Sequence, residues 1–272
     1  MNFADLHLHT ICSDGTLNPD ELVRQACEAG LSAIAVTDHD TVSGFARARE
    51  AGQKAGVEVL PGVELTAELD KVEIHVLGYL FDCNYQPLLD KLDLLKKNRV
   101  ERIYKICDKL NQDMGFSLEP QKVFDLAKGG TVGRLHVAWA MVKAGIVNSV
   151  HEAFYKYIGD NCPGYVSGFK LSPREAMDLI KSAGGVPVLA HPYTLKRDEL
   201  IPEFVTQGLM GLEVYYSEHT QGMKNFYLEL AKRYDLLATG GSDFHGAAKP
   251  NVKIGSIKIP YDLVEKLKEA RK

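Results

Sequence analysis

Six of the nine histidines in this chain fall where a short apolar run gives out: His7, His9, His39, His75, His191 and His245. Carboxylates accompany them. His7-Leu8-His9 leaves the first run and is followed by Ser13-Asp14-Gly15, while the second run passes into Thr37-Asp38-His39-Asp40. The third leads to Gly62-Val63-Glu64, and two later runs end in Ala190-His191-Pro192 and Gly241-Ser242-Asp243-Phe244-His245-Gly246. Residues i and i+2 of a strand share a face, so the imidazoles of His7-x-His9 can reach one ion, and Asp243-x-His245 repeats the device. Taken singly the signals are weak: Asp14-Gly15 reads as a turn, Glu64 as a strand-end charge, and Asp38 and Asp40 as caps or supports. Together, His7, His9, Asp14, His39, Glu64, His75, His191, Asp243 and His245 make nine imidazole and carboxylate groups. A structural zinc site needs about four ligands and favours thiolates. Two or three divalent cations with mixed nitrogen and oxygen ligands suit this supply better.

Groups so far apart along the chain meet only if the runs are strands whose ends share a face. The runs are residues 3–6, 33–36, 57–60, 73–77, 186–190, 211–214 and 236–238, with helical segments between most of them. Several are apolar without alternation, as strands buried on both faces are. The pattern predicts parallel strands in βα units and an active site at their C-terminal ends. Asn18 and Pro19 open a helix that Gly30 ends. Ser172, Pro173 and Glu175 form a capping box on another, which stops at Gly184-Gly185, and residues 261–272 form a last helix carrying Leu263, Val264 and Leu267. Residues 86–159 break the rhythm. Leu88, Leu89, Leu92 and Leu95 share one helical face, and Val137, Ala138, Met141 and Val142 another, so this stretch is predicted as a helical insertion over the active-site face, between strands four and five. The barrel then comprises residues 1–85 and 160–272.

Length and composition agree with one α/β barrel: 272 residues, 45% hydrophobic and 25% charged. A net charge of −4 argues against a broad basic surface for nucleic acid. The five cysteines, Cys12, Cys27, Cys83, Cys107 and Cys162, are odd in number and form no C-x-x-C pair, so reduced thiols in the cytoplasm are expected. No apolar stretch approaches the roughly 20 residues of a membrane span, no signal peptide is expected, and no obligate protein partner is evident.

The motifs quoted above, in this order and over essentially the whole chain, resemble the PHP (polymerase and histidinol phosphatase) family. The branch that the resemblance suggests is the stand-alone bacterial phosphatases acting on nucleoside 3′,5′-bisphosphates. It rests there on the insertion with Gly133-Arg134-Leu135-His136 and on Ser182-Ala183-Gly184-Gly185-Val186. The resemblance implies an α/β fold, a distorted seven-stranded TIM-like barrel. It implies one metal on His7, His9, Glu64 and Asp243, a second on Glu64, His75 and His191, and a third on Asp14, His39 and His245. Manganese is the implied ion, with iron or zinc as substitutes.

The expected chemistry is attack on phosphorus by a metal-bridging hydroxide, since a bound cation brings the pKa of water to about 7 in favourable sites. His191 and His245 take part through the metals. Thr131 is read as the cap of a helix whose first turn offers Arg134 and His136, Arg134 to grip a phosphate and His136 to protonate the leaving oxygen. Lys170 and Tyr193 are further candidates for substrate contact. His151 and His219 are given no role, and Trp139 is placed in the core. The expected partner is a small phosphorylated nucleotide. The alternatives are a 5′–3′ exonuclease on short RNA or DNA oligonucleotides, a histidinol-phosphate-like phosphatase, amide hydrolysis, and a module without catalysis.

Overall fold

The computed structural model describes residues 2–168 and 171–271. Its strands are β1 (Phe3–Leu8), β2 (Ala33–Val36), β3 (Glu58–Leu69), β4 (Val72–Tyr79), β5 (Val186–Leu189), β6 (Gly211–Tyr216), β7 (Leu237–Gly241) and β8 (Ile259–Pro260). They form one sheet in the order β7-β6-β5-β4-β3-β2-β1-β8. The sheet curls until β1 meets the end of β7. There Asp243 N–H donates to His7 O (2.9 Å) and His9 N–H to Phe244 O (3.0 Å), which makes a nearly closed barrel.

Two features depart from seven parallel strands. The sheet has an eighth strand, β8, which pairs antiparallel with β1. In addition, β4 runs antiparallel to both β3 and β5. The cause is local: Asp70 and Lys71 both adopt positive φ (52° and 67°), the conformation of a two-residue hairpin turn, so β3 folds straight back into β4 with no helix between. Glu64 and His75 therefore sit inside strands rather than at strand ends.

The helices follow the local signals more closely. They are α1 (Pro19–Glu28), α2 (Phe45–Ala55), α3 (Gln86–Met114), α4 (Pro120–Ala127), α5 (Arg134–Lys143), α6 (Val150–Ala153), α7 (Pro173–Ser182), α8 (Ile201–Thr206), α9 (Gln221–Arg233) and α10 (Tyr261–Glu269). Asn18 accepts the Glu21 N–H at the start of α1. Ser172 and Glu175 cap α7 reciprocally, and Val264 and Leu267 of α10 are buried against the barrel. α3 to α6 lie between β4 and β5 and surround their own apolar cluster, with Ile103, Ile106, Leu110, Val137 and Met141 at its centre. Arg99 of α3 ties this segment to the barrel mouth, donating to Asp40 (2.7 Å) and to Thr66 Oγ1 (2.6 Å). No helix among the described residues is long and apolar enough to cross a membrane.

Barrel closure leaves no room at Gly241, where a Cβ would overlap the backbone of His7. Gly241→Ala should cost about 2 kcal/mol in chemical denaturation, the usual scale for overpacking. An unchanged midpoint would show that the β1–β7 seam is loose.

Candidate metal centre

Glu64 lies in the middle of the barrel mouth, 1% exposed, with five imidazoles around its carboxylate. Oε1 is 2.8 Å from His75 Nδ1 and 3.0 Å from His191 Nε2. Oε2 is 3.3 Å from His7 Nε2, 3.1 Å from His9 Nε2 and 3.3 Å from His39 Nδ1. Asp243 Oδ1 stands 3.4 Å from His7, 3.3 Å from His9 and 3.4 Å from His245. Asp14 closes the far side, 3.3 Å from His245 Nε2 and 3.7 Å from His39 Nε2. All nine residues expected as ligands thus come together. Their grouping is more interlocked than three separate sets: ligand atoms converge for His9, Asp14, His39 and His245, for His7, His9 and Asp243, and for His39, Glu64 and His75.

The rings are held in a way that suits cations. A carboxylate or carbonyl can only accept, so the ring nitrogen facing one carries the proton. His7 Nδ1 faces Glu213 (2.8 Å), His75 Nε2 faces Glu73 (3.2 Å), and His245 Nδ1 faces the carbonyl of Asp243 (2.9 Å). His9 Nδ1 donates to Ser13 Oγ, whose own hydroxyl proton goes to Asp38, and His191 Nδ1 donates to Thr194, whose hydroxyl proton goes to the His191 carbonyl. In all five the other nitrogen is turned into the cluster. There His9 Nε2, His39 Nδ1, His75 Nδ1 and Asp14 Oδ1 are buried without a hydrogen-bond partner, although opposite groups lie within 4 Å. Orphaned donors of this kind, converging from several strands, fit divalent cations.

Without cations the cluster holds protons. Burial disfavours charge on Glu64, but His39, His75 and His7 outweigh it and keep its carboxyl well below the ordinary range. Burial also disfavours charged imidazoles, yet Glu64 and Glu73 raise His75 to about 10, and Asp243 and Glu64 raise His9 to about 9.

The cluster opens into a cavity of about 540 Å³. Arg99, Arg102, Arg134 and Lys249 line it with Tyr193, Tyr216 and His151. Arg134 donates to Glu73 (3.0 Å), Asp160 (2.7 Å) and the Ile158 carbonyl (3.2 Å). Tyr193 donates a short hydrogen bond to Glu218. Lys170 lies outside the described residues. Thr131 does not cap α5: Gly133 is the N-cap, its N–H donates to His136 Nδ1 (3.1 Å), and Thr131 Oγ1 is buried without a partner. His136 lines a neighbouring cavity of about 310 Å³ with Trp139, which is half-buried there rather than core. His219 is buried and its Nδ1 donates to the Val214 carbonyl.

Sequence reasoning passed over Glu213, Glu73, Arg99, Arg102 and Lys249. For Glu213 a signal existed, since it is the lone acid in the apolar run 211–214. The cations sit on helices and loops at positions that read as ordinary surface charge.

The PHP domain family model matches residues 5–156, more than half of the chain. The chain belongs to the PHP family. It is 32% identical over 249 residues to the 5′-3′ exoribonuclease of Haemophilus influenzae, covering 89% of each chain. Against the 3′,5′-nucleoside bisphosphate phosphatase of Chromobacterium violaceum it is 32% identical over 265 residues, 92% of this chain and 90% of that protein. A crystal structure from Bifidobacterium adolescentis, whose name places it among metal-dependent phosphoesterases, superposes with a TM-score of 0.89 at 34% identity, over 97% of this chain and 94% of that one. The PHP protein described here is accordingly a metal-dependent phosphoesterase, a hydrolase.

If His75 and His9 take a cation, its binding displaces their protons. Calorimetry at pH 7 in two buffers of different ionisation enthalpy should show net proton release. Because protons compete, affinity should rise with pH, about tenfold per unit for each proton displaced. Binding without proton release, or tightest at low pH, would mean these imidazoles are not ligands.

Proposed function

We propose that this PHP phosphoesterase hydrolyses a phosphate monoester, the 3′-phosphate of nucleoside 3′,5′-bisphosphates. One observation carries the reading: a single cavity joins the cation ligands to uncommitted guanidinium donors. Arg102 and Arg134 both line this cavity. Arg134 has spent three of its N–H groups, and a guanidinium has five, so two remain for a phosphate. A molecule with one phosphate at the ligands and another at the arginines satisfies both ends. About 540 Å³ is within the range of small-molecule sites.

In this reading His7, His9, Asp14, His39, Glu64, His75, His191, Asp243 and His245 hold two or three divalent ions, manganese foremost. When bound, such ions neutralise phosphoryl charge and acidify water. The chain's own residues do the rest. Arg134 and Arg102 orient the second phosphate, and Glu73 keeps both guanidiniums beside His75. Tyr193 and Tyr216 supply aromatic wall. Burial pushes His136 below its ordinary range, and the imidazole lines the neighbouring cavity. We therefore assign it to the start of α5 and not to proton transfer. Residues 86–159 act as the unit that completes the cavity. The five free thiols suit a reducing compartment, the cytoplasm.

A second reading, exonucleolytic cleavage of short oligonucleotides, has one observation in its favour. A further cavity of about 610 Å³, reaching Ser217, Asn251 and Ser256, shares His151, Glu218 and Lys249 with the first. A continuous trench can take more than one nucleotide.

Turnover of adenosine 3′,5′-bisphosphate, p-nitrophenyl phosphate and a short 5′-phosphorylated RNA, each with manganese and with chelator, separates the readings. Fastest release of the 3′-phosphate is expected; faster release of 5′-mononucleotide from RNA would favour the second. Arg134→Ala should raise KM for the bisphosphate about tenfold or more, the scale of a lost charged hydrogen bond, with a much smaller effect on p-nitrophenyl phosphate. Equal losses would remove Arg134 from substrate recognition.

A further inference from the structure

β6 supplies none of the expected cation ligands, yet it carries a wholly buried acid. Glu213 stands between Leu212 and Val214, wholly buried. Both of its oxygens are engaged. Oε1 accepts the Nδ1–H of His7 (2.8 Å), and Oε2 accepts the backbone N–H of His191 (2.7 Å). We propose that Glu213 is a positioning residue that sets His7 and His191 together, and so couples the cation sites these two histidines serve. The proposal rests on the cation-binding reading of the cluster and not on the choice of substrate.

Each bond has a distinct consequence. The bond to His7 keeps a proton on Nδ1, so that Nε2, between Glu64 Oε2 (3.3 Å) and Asp243 Oδ1 (3.4 Å), is the nitrogen that would give up its proton to a cation. The bond to His191 holds a strained backbone. His191 has φ 27° and ψ 62°, a left-handed conformation that a side-chain-bearing residue adopts only when its surroundings impose it. That conformation follows β5 directly, and Nε2 of the same residue lies 3.0 Å from Glu64 Oε1. Glu213 thus fixes one ligand that faces Oε2 of Glu64 and another that faces Oε1. Tyr216, from the same strand, donates to Asp243 Oδ2 (2.9 Å), so β6 braces a third ligand as well.

Glutamine at this position has the same shape but only one acceptor. Whichever way its amide turns, an N–H group faces either His7 Nδ1–H or the His191 N–H. Glu213→Gln must therefore release one of the two ligands or force His7 into the other tautomer, which protonates the nitrogen a cation needs.

The test compares manganese affinity of the wild-type chain and Glu213→Gln by calorimetry at low temperature, with circular dichroism confirming that both are folded. Loss of a partner that orients a metal-binding histidine commonly weakens binding 10- to 100-fold, and at least about tenfold is expected here. Glu213→Asp, with two acceptors but a shorter reach, should fall between. Equal affinity in wild type and Glu213→Gln would overturn the proposal. A lower thermal midpoint with unchanged affinity would reduce Glu213 to a packing role and also overturn it. A wild type that binds no manganese would instead defeat the cation reading itself. Should Glu213→Gln not fold, 15N-histidine spectra of the zinc-loaded wild type still decide. The His7 proton is expected on Nδ1, and a proton on Nε2 would refute the assignment.

Discussion

One carboxylate, that of Glu64, has five imidazoles within 3.3 Å, and the rest of the barrel is arranged so that this is tolerable. A buried anion with so many nitrogens around it is costly unless charge is balanced and ring orientation is fixed. Orientation is fixed from behind. Glu213, Glu73, Ser13, Thr194 and the Asp243 carbonyl each take one ring proton, so that the remaining nitrogens converge. Charge is balanced by protons in the metal-free chain, and cations bound at the same atoms would take their place. Metal binding and protonation are therefore alternatives for the same set of atoms.

The path of the chain explains how one acid can be reached from so many sides. Parallel strands alone would bring only their ends to the mouth. The turn at Asp70 and Lys71 sends β4 back along β3, and this places His75 beside Thr66 and across from Glu64 in mid-strand. β1 and β7 close the other side, where Gly241 lets His7 and Asp243 approach. Residues 86–159 complete the cavity, and Arg99, Arg102 and Arg134 bring positive charge to a mouth otherwise rich in acids.

Much of this was legible beforehand, for physical reasons. Most of the residues expected as ligands stand at the ends of apolar runs, and helix caps such as Asn18 and Ser172 act through neighbours three residues away. Local rules therefore reached both. The direction of β4 was not legible, because a run such as residues 73–77 is equally apolar whichever way it points. The hairpin depended on positive φ at Asp70 and Lys71, and neither is glycine. Gly133 in place of Thr131 as the cap of α5 turned on the side chain of His136 folding back, a choice that composition does not announce. Glu213, Glu73 and Arg102 were missed because partners of each lie far along the chain, at His7, Arg134 and Val166 among others. Only the fold brings them together.

The central claim is that ligands from separate strands gather several cations around Glu64. Elemental analysis after equilibrium dialysis against manganese measures this most directly. Two or three ions per wild-type chain are predicted, with occupancy falling when Glu64 is replaced by glutamine. A single ion per chain, unaffected by Glu64→Gln, would contradict the account.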